Sequence, residues 1–270
     1  MNVDTKLYKK LYFDIRNFTD QDAEKHFKNY GFFEGRIANN EMLKERIEKN
    51  LDIMNLKNDI LQDKDYTKNK ELINIIIRTS NRPNCFKLNI DSIASQSYDN
   101  IKLHISYDNE FTNKYINDTL NNSNIEYTLY SVEKTENDFF YNDYPNILIQ
   151  NINDGYIIFL DDDDRFTNNN ALSYINEYLD VNRFLTWNYL RTDKIIGISK
   201  GIIKSGKVTS CGFCYHSSHK SKWELASNGD YIFVKNLINN NNLEISKIDK
   251  VLTGVINKNI IYGEGNCEDI

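Results

Sequence analysis

The stretch Tyr156-Ile157-Ile158-Phe159-Leu160-Asp161-Asp162-Asp163-Asp164 decides how this chain is read. Its first half is apolar and aromatic, suits a pleated surface, and is short enough to be a buried strand. Its second half has no packing explanation. Adjacent carboxylates raise one another's pKa unless a cation offsets their charge. Clusters made only of oxygen donors suit hard divalent ions such as Mg2+ or Mn2+. In an α/β chain the acids sit at the carboxyl end of a strand, where open sheets bind ligands. The plain alternative is a solvated acidic turn.

Alternation of strand and helix on both sides of this stretch supports the α/β reading. Leu72–Ile77 reads as a buried strand, followed by the turn-rich Arg78-Thr79-Ser80-Asn81-Arg82-Pro83 and a helix over about Cys85–Ser95. A strand at Ile101–Ile105 ends in Tyr107-Asp108-Asn109, a helix-length segment follows, and Ile125–Tyr130 is the next strand. Asn146–Asn153 reads as helix leading into the acidic run. Beyond it come a helix over Ala171–Asp180, strand-like segments at Phe184–Leu190 and Ile195–Ile203, and a last helix near Asp230–Asn239. The fold expected is a doubly wound, Rossmann-like mixed sheet with helices on both faces.

Residues 1–68 have a different character and are expected to form a separate helical module with a charged linker helix, leaving 69–270 as the main domain. Leu7, Leu11 and Ile15 form an apolar stripe, Thr19 is placed to cap a helix, and Gly31 to stop one in a left-handed conformation. Ile47, Leu51, Met54, Asn58 and Leu61 fall at heptad spacing, which suits a helix lying on its own domain or homo-oligomer pairing through residues 40–65.

With 270 residues, 40% hydrophobic and 13% aromatic, the chain can bury a substantial core. Its net charge of −6 argues against nucleic acid as a partner. No apolar run suggests a signal or a membrane span. The few cysteines suggest a reducing, cytoplasmic setting, which is the host cytoplasm if the chain is viral.

Five motifs, in order over roughly residues 72–240, resemble those of family-2 glycosyltransferases of the GT-A fold. They are Thr79-Ser80-Asn81-Arg82-Pro83, Ser92-Ile93-Ala94-Ser95-Gln96, Tyr107-Asp108, Asn146, and Leu160-Asp161-Asp162-Asp163-Asp164. Two departures stand out: Tyr107 replaces the usual first acid of a pair, and Asn228-Gly229-Asp230 replaces Gly-Glu-Asp. The Gln-x-x-Arg-Trp signature of processive members is absent, which favours transfer of a single sugar. The run His26–Arg36 resembles a small helical module found beside some glycosyltransferases.

The resemblance implies a UDP-sugar donor, a hydroxyl acceptor on a glycan, glycoprotein or lipid, and Mn2+ or Mg2+ as cofactor. It makes Asp163 the first candidate metal ligand, with Asp161 in support. Asp162 is then a candidate for the ribose. Thr79 and Asp108 are candidates for the base, and Asn81, Arg82 and Asn146 for the rest of the nucleotide sugar. Asp164 is either a helper or an N-terminal charge for the next helix. Asp230 is the candidate general base, although its position also suits plain helix capping. Cys211–His219 has spacings too tight for structural zinc and reads as acceptor-pocket lining or packing. Two other readings are a non-catalytic binding protein on the same fold and a haloacid-dehalogenase-like phosphatase. Against the latter, Arg165 stands where that motif needs Thr or Val.

Overall fold

The central strands are apolar on both sides because helices cover both faces of the sheet. In the computed structural model, residues 2–11, 15, 17–32, 38–42, 45, 69–121, 123–191, 194–198 and 202–255 are described. Ile73–Arg78 (β1), Ile101–Tyr107 (β2), Glu126–Ser131 (β3) and Tyr156–Phe159 (β4) pair in parallel in the order β3-β2-β1-β4. Ile73, Ile75 and Ile77 of β1 enter one core with Phe86, Ile90 and Ile93 of the helix Pro83–Ala94. Ile76, Ile157 and Phe159 enter the opposite core with Phe233, Val234 and Leu237 of the helix Gly229–Asn241. The alternation follows from the two-residue period of a strand.

The sheet continues as a mixed half. Asp164–Phe166 (β5), Arg183–Arg191 (β6), Lys194–Ile196 (β7), Phe213–His216 (β8) and Glu244–Val255 (β9) extend the order to β4-β8-β6-β9-β5, with β7 on β6. Strand β8 is antiparallel to both β4 and β6, β9 is parallel to β6, and β5 is antiparallel to β9. A flat sheet would separate β4 from β5 by about 19 Å, at roughly 4.8 Å per strand step. Only residues 160–163 join them, and that stretch is turned, since Asp164 N donates to Asp161 O at 2.8 Å. The sheet therefore curls so that its far edge returns to the acidic turn.

The doubly wound mixed sheet is as expected, with five differences in detail. Asp164 belongs to β5 and pairs with Val255, so it is not an N-terminal charge for the following helix. Residues 213–216, read as pocket lining or packing, form the buried strand β8. The strand expected over 195–203 is only the short β7, and β9, unanticipated, is 12 residues long. The helix expected over 171–180 ends at Asn176.

In the N-terminal part, Tyr8, Ile15, Ala23, Phe27 and Ala38 form a small core of their own. Thr19 caps the helix Asp20–His26, its hydroxyl accepting from Asp22 N at 3.2 Å. Gly31 sits inside a π-helical turn and not in a left-handed stop. A Cβ there would lie 2.1 Å from the Tyr8 hydroxyl, so the reason for glycine is close approach. The heptad segment lies outside the described residues. Cys211 and Cys214 are buried free thiols. Among the described residues no helix is long and apolar enough to cross a membrane.

Candidate active site

Strand order reverses between β1 and β4: the chain winds outward to β3 on one side and returns to β4 on the other. That switch point opens a crevice at the carboxyl ends of the strands. The parallel register of Ile76 with Phe159 is continued by Leu160 N donating to Ile76 O at 2.9 Å and Asp162 N to Arg78 O at 3.3 Å. It sets Arg78 beside the acids. The turn is held from below by Asn89, whose buried amide nitrogen lies within 2.8–3.0 Å of the carbonyls of Leu160, Asp161 and Asp164.

Two arginines pair with three of the four acids. Arg78 grips Asp161 with two guanidinium nitrogens, Nε at 2.8 Å, and its backbone N–H adds a third contact at 3.3 Å. Its Nη1 also donates to Tyr141 O at 3.1 Å, and its guanidinium lies 5.5 Å from the Trp223 ring centre and 6.0 Å from that of Tyr141. Arg82 pairs with Asp162 at 2.5 and 3.0 Å and reaches Asp163 at 3.5 Å.

Environment separates the acids. Burial works to raise Asp161, but the Arg78 charge and hydrogen bonds hold it below the usual carboxylate range. Burial pushes the fully enclosed Asp162 up to about 8 against the pull of Arg82. Burial, reinforced by Asp163 and Asp161, pushes Asp164 well up, while the Cys211 thiol, donating to it, opposes.

A cavity of about 740 Å³ runs along this edge of the sheet. Of the residues expected from sequence, Thr79, Asn81, Arg82, Asp108, Asp161 and Asp163 line it together with Asp164. The Thr79 hydroxyl is bonded to Tyr115 OH at 2.6 Å. Asp108 accepts from Ser80 Oγ at 2.8 Å, Asn109 Nδ2 at 2.7 Å and Tyr144 OH at 3.4 Å. Asn81 takes φ = 54°, a left-handed conformation that Asn tolerates better than most residues and that cluster at functional loops.

Asp162, Asn146 and Asp230 are not among the lining residues. Asp162 faces Arg82 instead. Asn146 clamps Trp223 through both its amide atoms, accepting from Trp223 N at 2.8 Å and donating to Trp223 O at 3.1 Å. Asp230 opens its helix, its Oδ1 accepting from Tyr231 N at 2.7 Å. Burial raises its pKa, while the charges of Arg78 and Arg191, both in the cavity wall, pull it down. Trp223 is core, stacked on Phe233 at 5.0 Å. Ser92 and Gln96 are packing positions: Gln96 ties its helix end to Asn168 O and Leu172 N.

Sequence reasoning missed Arg78, Lys134, Phe140, Tyr141, Tyr144, Arg191 and Ser210 in the wall. Arg78 could have been found by aligning the ends of two adjacent strands. The others come from loops and strand ends that only the tertiary fold brings together.

No family model matches the chain, and no curated protein does. Solved structures match its fold. The 1–349 piece of TarS from S. aureus, in complex with UDP-GlcNAc, superposes with a TM-score of 0.54 at 14% identity, over 73% of this chain and 60% of that one. A mannosyltransferase from Pyrobaculum calidifontis, in complex with GDP-Man and Mn2+, gives 0.54 at 11% identity, over 80% and 67%.

The fold is GT-A.

The GT-A likeness extends to a longer TarS structure with a TM-score of 0.53 at 14% identity, of which the chain spans 36% while 67% of this chain is covered. In this chain the acidic turn and the Thr79–Arg82 loop line the crevice at the switch point.

Proposed function

We propose that this chain is a metal-dependent, inverting glycosyltransferase that moves one sugar from a UDP-sugar to a hydroxyl of a glycan, glycoprotein or lipid. The observation that carries the reading is the acidic turn at the switch point, set across one cavity from Thr79 and Asp108. The nucleotide sugars named in the GT-A structures above, UDP-GlcNAc and GDP-Man, support the donor class. Asp108 as acceptor for a uracil N–H favours UDP.

Among the described residues no three His, Cys, Asp or Glu side chains form a ready-made metal cage. A divalent ion still fits, because Mg2+-type ions are usually held by one or two carboxylates and completed by substrate phosphates and water. Asp163 is the principal ligand, with Asp161 in support and shared with Arg78. The ion, when bound, is a Lewis acid for the diphosphate leaving group.

The chain's own residues supply the rest. Thr79, Asn81 and Asp108 hold the nucleoside, and Arg82 is within reach of the diphosphate. Asp162, buried against Arg82, positions that arginine, and Asn146 positions the Trp223 segment. The Asp230 carboxylate takes the proton of the acceptor hydroxyl, and a pKa raised by burial suits that task. The oxygen attacks the anomeric carbon opposite the diphosphate. The old C–O bond breaks and its electron pair leaves with UDP.

Calorimetry with UDP and Mn2+, paired with UDP-sugar turnover, tests this reading. Asp163→Ala should weaken Mn2+-dependent UDP binding at least about tenfold. Asp230→Asn should keep UDP affinity within about twofold while turnover falls about 100-fold or more. Equal loss of both in Asp230→Asn would mean that Asp230 only caps its helix.

A further inference from the structure

The cavity follows the carboxyl edge of the sheet, so its wall residues can be ordered by strand. Lys134 follows β3, Asp108 follows β2, Arg78–Arg82 end β1, and the acids end β4. Thr209 and Ser210 precede the antiparallel β8, Arg191 ends β6 and Val255 ends β9. The nucleoside side is therefore the β2–β1 end. The diphosphate belongs at β1 and β4, and the acceptor must enter from the β6–β9 end.

Of the four cations in the wall, Arg78 and Arg82 are held by Asp161, Asp162 and Asp163. Lys134 lies over the Phe140 ring, 4.8 Å from its centre, on the nucleoside side. Arg191 is exposed and forms no ion pair with any acid among the described residues. It stands two strand steps from the acidic turn, about 10 Å along the sheet, which is beyond where a diphosphate bound at that turn would need it. Beside it are the hydroxyls of Thr209 and Ser210, the latter donating to Asp161 at 3.3 Å. An unpaired guanidinium in the cavity of a chain of net charge −6 is a fork for a planar or tetrahedral anion.

We infer that the β6 end of the cavity is an acceptor subsite for a hydroxyl compound that carries an anionic group, a carboxylate or a phosphate ester, with Arg191 as its counter-charge. The inference rests on the transferase reading above and deepens it. An acceptor anion seated on Arg191 presents its hydroxyl toward the acidic turn. It also screens a positive charge that otherwise opposes proton uptake by Asp230.

The test is calorimetric titration of the protein saturated with UDP and Mn2+. Glycerol 1-phosphate is compared with glycerol, and glucuronate with glucose, which separates the phosphate from the carboxylate source. At least one anion should bind at least about tenfold more tightly than its neutral partner, and Arg191→Gln should remove that preference while UDP affinity stays within about twofold. Equal binding of charged and neutral compounds overturns the inference. So does an anion that displaces UDP instead of adding to the loaded protein, since Arg191 would then serve the donor. Failure of the wild type to bind UDP with Mn2+ at all is a separate result, seen before any acceptor is added, and sinks the transferase reading itself.

Discussion

Arg78 ties together three parts of the site: its guanidinium holds Asp161, its Nη1 holds Tyr141 O, and its face lies near Trp223. Arg78→Ala would leave the buried Asp161 carboxylate uncompensated. Breaking one side of a buried pair typically costs about 3–5 kcal/mol, and the partial exposure of Arg78 reduces that to about 2–3. Arg78→Lys should recover little, because a point charge cannot make the two-pronged contact. Denaturant melts of the three proteins check both statements. At Asn81, with φ = 54°, glycine should be tolerated and valine should cost about 1–2 kcal/mol, readable in the same melts. The acids at a strand end were legible from residue type and order, whereas Thr79 and Asp108 were singled out through the family resemblance, and all of these line the cavity except Asp162. Arg78 was not, although it stands beside Thr79 in the sequence, because nothing local says which strand end it will face.

The turn into β4 depends on Gly155, whose φ is +74° and whose would-be Cβ lies 2.4 Å from the Leu72 carbonyl oxygen. Gly155→Ala should therefore cost at least about 2 kcal/mol, through strain and collision with backbone that cannot yield; thermal unfolding measures it. The parallel half of the sheet was legible because β1 and β4 are short, mostly apolar runs and β2 alternates Ile101, Leu103 and Ile105 with polar residues. Strand β9 was not, because Lys247, Asp249 and Lys250 break its apolar pattern and its pairing with β6 shifts register near Trp187 and Asn188. Strand β8 was hidden for a different reason. Its cysteines and histidines invited a chemical reading, whereas Cys214 and Tyr215 are fully buried and His216 is held by Ser218.

For the molecule as a whole, His104 gives a pH signature. It is buried on β2 between Tyr130 OH at 3.2 Å and Asn74 Oδ1 at 3.0 Å, and burial lowers its pKa to about 4. The unfolded chain binds that proton near pH 6.5, so between about 6.5 and 4 the unfolded state holds more protons and is favoured as pH falls. The contribution is fully present above pH 6.5 and is lost toward pH 4, amounting to about 1–2 kcal/mol after allowance for partial solvent screening. Asp162, raised to about 8, works in the opposite sense, so the total profile mixes the two. The difference in stability between wild type and His104→Gln isolates the histidine. It should shrink as pH is lowered from 7 to 5, and a constant difference would refute the assignment.

The curl that brings β5 back to β4 makes the acidic turn a clasp between the middle of the sheet and its last rung. Loosening the outer edge then unfastens the acidic turn, although β9 and β5 lie at the far end of the strand order. Amide hydrogens of residues 161–166 and 251–255 should accordingly exchange together, and a nucleotide locked onto the turn should slow both sets at once.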